Sequence, residues 1–67
     1  MIHIQLNGEA RALPAGTTVA ALIDLLGHAG RRVAVEVNRE IVPKSRHAEH
    51  VLADADVVEL VHALGGG

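Results

Sequence analysis

Three residue patterns in this 67-residue chain could carry chemistry: a closing run of Gly65, Gly66 and Gly67, the histidines His47, His50 and His62, and the stretch PAGTT at residues 14–18. His47 and His50 stand at i, i+3 spacing. The chain has no cysteine and Glu49 is the only carboxylate inside that pair, so the pattern matches no established zinc spacing. Solvated histidines, and no metal site, are expected. PAGTT lacks a lysine and the GxxxxGK[ST] pattern, and reads as a turn before a helix cap rather than a phosphate cradle. The glycines remain. Glycine orders at greater entropic cost than any other residue and has no side chain to hold a terminus down, so residues 65–67 are expected to form a mobile thread. Such a thread is either a frayed end or a tool, and the three residues alone leave both readings open.

Composition narrows the classes. A chain this short forms one domain that buries only roughly 60% of its unfolded surface, which leaves little room for a deep cleft. With 49% hydrophobic and 21% charged residues it belongs with globular proteins, and with no Phe, Tyr or Trp its core must be aliphatic. A formal net charge of −2 and the lack of any stacking ring argue against nucleic-acid binding. Arg31, Arg32, Arg39, Lys44 and Arg46 crowd the middle of the chain, whereas Glu49, Asp54, Asp56 and Glu59 follow with no Lys or Arg among them. That acidic end suits a basic partner. The opening MIHIQLNGEA lacks a basic region followed by an apolar run, and no stretch approaches 18 apolar residues. Neither secretion nor membrane insertion is expected, and absence of cysteine fits the reducing cytoplasm.

The elements that must position the glycines follow from periodicity. Ile2, Ile4 and Leu6 alternate with His3, Gln5 and Asn7, and Asn7-Gly8 stands where a two-residue hairpin turn needs positive φ. Thr17 or Thr18 can cap a helix whose Val19, Leu22, Ile23 and Leu26 share one face, with Gly27 or Gly30 ending it. Val33, Val35 and Val37 alternate as a third strand, Asn38 opens a turn, and EIVP is a short extended piece. SRHAEH is expected to make one helical turn capped by Ser45, and VVELVH is the last strand. Hairpin, crossover helix and returning strands favour an α+β architecture, the β-grasp, with one helix across one face of a mixed sheet and the C-terminal strand lying centrally beside the N-terminal one. Residues 1–64 would form this domain and residues 65–67 a flexible glycine tail.

Three stretches, IQLNGEARALPAGTTVAALI, VNREIVPKSRHAEHVLADAD and VVELVHALGGG, together resemble the ThiS family of small sulfur carrier proteins along essentially the whole chain. The resemblance implies a carrier with no catalytic residues of its own. In that family a ThiF-like adenylyltransferase uses ATP to adenylylate the terminal glycine carboxylate, here Gly67, and a persulfide source converts it to a thiocarboxylate. The sulfur then passes to a ThiG-like thiazole synthase in thiamine biosynthesis, with no cofactor bound to the carrier itself. A carboxylate is a poor electrophile until it becomes a mixed anhydride, and an unbranched Gly65-Gly66-Gly67 backbone suits entry into a narrow partner channel. Two alternatives stay open: a non-covalent ubiquitin-like interaction module, and a carrier that serves molybdopterin synthesis or tRNA thiolation.

The last strand carries apolar residues at both parities. If Val58 and Leu60 face the helix, then Val57 and Val61 emerge on the open face with Glu59 between them and Leu64 at the root of the tail. A partner-docking face at Val57, Glu59, Val61 and Leu64 is expected, with Asp54, Asp56 and Glu59 as its acidic rim. A few exposed valines on a sheet are also common without any such role.

Overall fold

The computed structural model describes residues 1–28 and 32–62. Five strands form a single mixed sheet around one helix: β1 (Ile2–Leu6), β2 (Glu9–Leu13), α1 (Val19–Leu25), β3 (Val33–Val37), β4 (Glu40–Val42) and β5 (Val57–His62). The strand order is β2-β1-β5-β3-β4. β1 pairs parallel with β5, and the other ladders are antiparallel. The last strand is thus central and lies beside the first, as the β-grasp order requires.

Both hairpins use two-residue turns with positive φ at each central position, the type I′ requirement: Asn7 and Gly8 at 50° and 83°, Asn38 and Arg39 at 52° and 69°. Pairing Leu6 with Glu9 and Val37 with Glu40 fixes register, so one parity of every strand faces the helix. The core is wholly aliphatic, built from Ile4, Leu6, Leu13, Val35, Val37, Val42, Val58 and Leu60 of the sheet, Val19, Leu22 and Ile23 of the helix, and Leu52.

A seven-residue helix is too short to persist alone. Burial of Val19, Leu22 and Ile23, at about 1.5–3 kcal/mol each, holds it against the sheet. Three of its N-terminal donors have partners. The Thr18 hydroxyl accepts from the Ala21 N–H at 3.1 Å, the Val19 N–H donates to the His50 carbonyl and the Ala20 N–H to the His47 carbonyl, each at 2.9 Å. Gly27, at φ 78°, closes the helix: its N–H reaches the Asp24 carbonyl, and the next N–H, of His28, reaches Ile23. Residue 30, the other expected stop, lies outside the described residues.

The stretch between β4 and β5 departs from expectation. Its helical turn is a 3-10 turn over Lys44–Arg46 that follows Pro43, so Ser45 lies inside it and caps nothing. Pro43, extended at φ −64° and ψ 152°, already occupies the cap position, so the serine falls within the turn. The segment is tied to the helix instead. The Leu52 N–H donates to the Thr17 carbonyl, and His47, expected to be solvated, is instead buried with its Nε2 2.9 Å from the Val42 carbonyl. A carbonyl only accepts, so Nε2 carries the hydrogen.

Candidate functional site

β5 is the element from which the glycine run continues, and two asparagine side chains, one on each side, help to hold it. On its β3 side, residues 58–62 pair with residues 37–33. At the start of β5 the Asn38 N–H donates to the Val57 carbonyl at 2.7 Å. The reciprocal bond would go to the Asn38 carbonyl, but positive φ turns that group out of the ladder. The Asn38 side-chain Oδ1 takes its place and accepts the Val57 N–H at 2.9 Å.

On the β1 side the ladder is shorter, because β1 pairs with β5 only at Gln5–Val57 and Leu6–Val58 before turning away. The Asn7 N–H still donates to the Val58 carbonyl at 2.9 Å. Beyond it the Asn7 side chain takes over. Its Oδ1 accepts the Leu60 N–H at 2.8 Å and its Nδ2 donates to the Leu60 carbonyl at 3.2 Å. The two bonds together fix the amide orientation, since only Oδ1 can accept and only Nδ2 can donate. Sequence reasoning read both asparagines as turn residues and missed this second role. The available signal was an asparagine directly after the last residue of a strand, where a tolerance for positive φ and a peptide-like side chain coincide.

Parity along β5 falls as expected. Val58 and Leu60 are buried, while Val57, Glu59 and Val61 point to the open face, with Val57 40% and Val61 61% exposed. Register places Val61 beside Ala34 and Val57 beside Gln5 on that face. Glu59 stands directly opposite Glu36, a partner that sequence reasoning did not single out because it needs the β3–β5 register. Like charges directly opposed on a sheet are destabilising, and a cation placed beside them would relieve that cost. Leu64, Gly65, Gly66 and Gly67 lie outside the described residues.

The expected acidic rim needs one correction. Asp56 is buried, and both its oxygens are occupied: Oδ1 accepts from Asn38 Nδ2 at 2.9 Å and Oδ2 from the Ala53 N–H at 2.8 Å. Its carboxylate closes the turn into β5 and offers nothing to a partner. Asp54 is exposed and accepts the His3 N–H at 2.7 Å. The acidic character of the open face therefore rests on Glu59 with Glu36.

A hollow of about 690 Å³ lies elsewhere, beside β4, bounded by Ile41, Pro43, Arg46, His50 and Val51 among others. None of Val57, Glu59 and Val61 lines it. Among the described residues no cluster of three or more His, Cys, Asp or Glu is arranged to hold a metal ion, and no helix is long and apolar enough to cross a membrane.

Comparison with known proteins bears on this geometry. The model of the ThiS family matches residues 4–67. The sulfur carrier protein ThiS of Bacillus subtilis is 40% identical over 65 residues, which cover 96% of this chain and 98% of the relative. A thiazole synthase of Paramagnetospirillum magneticum is 50% identical over 66 residues, 98% of this chain, and the chain spans only 20% of that relative's length. Among solved structures, the crystal structure of the thiamine biosynthesis protein ThiS from Geobacter metallireducens superimposes with a TM-score of 0.83 at 26% identity, covering 98% of this chain and all of the other.

Proposed function

The chain belongs to the ThiS family, and from that membership we propose that it is a sulfur carrier of thiamine biosynthesis that works as a protein cosubstrate through the carboxylate of Gly67. The observation that carries the reading is that the family match extends along the chain through residue 67, so the glycine run belongs to the shared pattern. Residue 67 follows residue 62 by five residues, a reach of at most about 18 Å beyond a strand fixed in the middle of the sheet.

The chemistry follows from what a carboxylate lacks. An ATP-dependent, ThiF-like adenylyltransferase makes the mixed anhydride with AMP and releases pyrophosphate. The terminal sulfur of a persulfide displaces AMP, and a thiol then cleaves the resulting S–S bond to leave the thiocarboxylate. Glycines suit this role because the acyl carbon must enter a nucleotide site without a side chain blocking it. The open face of β5, with Val57, Val61 and the Glu36–Glu59 pair, is the surface we assign to docking of that partner. Thiazole synthase is the acceptor. Two proteins of that name, from Paramagnetospirillum magneticum and Magnetococcus marinus, carry a stretch like this chain over a fifth of their length, which supports the pairing. The carrier role places the protein in the cytoplasm.

Intact mass tests the proposal. The chain ending at Gly67, supplied with the activating enzyme, ATP and a persulfide source, is expected to gain the mass difference of sulfur for oxygen. A version with one residue added after Gly67 is expected to gain nothing. Sulfur loading of both versions would dissociate the chemistry from the Gly67 carboxylate, and loading of neither would favour a non-covalent interaction module.

A further inference from the structure

We infer that Asn7 is a positioning residue for the tail, its side-chain amide serving as a surrogate peptide group that continues β1 after the main chain has turned away. In a parallel ladder the N–H and C=O of one residue bond to two peptide groups of the neighbouring strand. Leu60 has no such neighbour, because β1 ends at Leu6. One carboxamide supplies both bonds, accepting the Leu60 N–H at 2.8 Å and donating to its carbonyl at 3.2 Å. Without it, β5 beyond Val58 would be held by the β3 ladder alone. That ladder permits the strand to twist away from β1, and the root of the tail would move with it.

Asn38 is the internal control. It has nearly the same φ, 52° against 50°, occupies the same position in the same kind of turn, and also lends Oδ1 to a β5 N–H. Its bond is to Val57, the first residue of β5, whereas that of Asn7 is to Leu60, three residues nearer the tail. Only the amide at residue 7 is placed to govern the direction in which the chain leaves the sheet. Neither backbone conformation requires asparagine, since glycine adopts positive φ at lower cost. What glycine lacks is the amide.

The test uses the full-length chain, with Asn7→Gly and Asn38→Gly as a matched pair, and Asn7→Asp as the variant that keeps Oδ1 but replaces the donor with an oxygen facing the Leu60 carbonyl. Glycine-glycine is itself a favoured type I′ pair, so Asn7→Gly is expected to fold. The first readout is amide hydrogen exchange. It is expected to quicken about tenfold at Leu60 in Asn7→Gly, and at Val57 but not at Leu60 in Asn38→Gly. The second rests on the sulfur-carrier reading: kcat/KM for loading by the activating enzyme is expected to fall about tenfold in Asn7→Gly and Asn7→Asp, and to stay within about twofold in Asn38→Gly. Unchanged Leu60 exchange in Asn7→Gly overturns the inference, as does equal loading by the two glycine variants. Should the wild-type chain itself fail to load, the carrier reading fails with the tail role, and Leu60 exchange alone decides whether the amide holds the strand.

Discussion

Val58 and Val61 are the same residue three positions apart on one strand, yet the first is wholly buried and the second is 61% exposed. Strand parity alone separates them, because alternate side chains of β5 point to opposite faces of the sheet. The inner face, Val58 and Leu60, closes on the helix and stabilises the fold. The outer face, Val57, Glu59 and Val61, leaves apolar area in water and sets Glu59 against Glu36. A small domain has a thin stability margin, so leaving two valines exposed on its central strand and two carboxylates opposed across the β3–β5 ladder costs something it gains little from in isolation. On the proposed docking role, the difference between the faces separates folding from docking on a single element.

The comparison can be broken most directly on the inner face. Val58→Ala removes two methyl groups from a fully buried site and is expected to cost about 2 kcal/mol, lowering the midpoint of thermal unfolding by about 10 °C. A loss below about 0.5 kcal/mol, read by circular dichroism, would mean that the inner face is not what holds β5. On the outer face, Val61→Asp is expected to shift stability by less than about 1 kcal/mol, the range of strand propensity at a surface position. Its effect belongs to the partner: a fall of at least about tenfold in affinity for the adenylyltransferase, read by titration calorimetry. Unchanged affinity would return Val61 to the ordinary exposed residues of a sheet.

Most of the fold was legible because its signals are local. Asn7-Gly8, the Ile2-Ile4-Leu6 alternation, the Val19-Leu22-Ile23 stripe and the Val33-Val35-Val37 strand each announce themselves within a few residues. Parity assigned Val57, Glu59 and Val61 to one face before any pairing was known. The misreadings arose where long-range pairing decides. Asp56 looked like a surface acid in an Asp-Ala-Asp turn, but one of its oxygens is taken by Asn38, 18 residues away, and the other by the Ala53 N–H. Ser45 is the exception, misread for a local reason: Pro43, two residues before it, holds the cap position, and His47 is tied to Val42 five residues back. The second role of Asn7 depends on a residue 53 positions distant. A bond over that separation is invisible to periodicity, and so was the facing of Glu36 and Glu59.

That facing gives the smallest and most specific test of the two-face division. Opposed like charges on neighbouring strands cost roughly 0.2–1 kcal/mol, less as salt screens them. Glu59→Gln is therefore expected to raise the unfolding midpoint by a few degrees at low ionic strength, and by little at high salt. Glu36→Gln should do the same, and the double variant should add almost nothing, because either single change already removes the repulsion. Additive gains would show that the two carboxylates do not sense each other. Docking should respond in the opposite direction. If the pair receives a cation from the activating enzyme, each single variant slows association and flattens its salt dependence even as it stabilises the free domain. Stability gained and association lost through the same atom is the signature expected of a charge pair kept for a partner. Variants that gain stability and lose no on-rate would leave the outer face of β5 with its valines as the only docking feature.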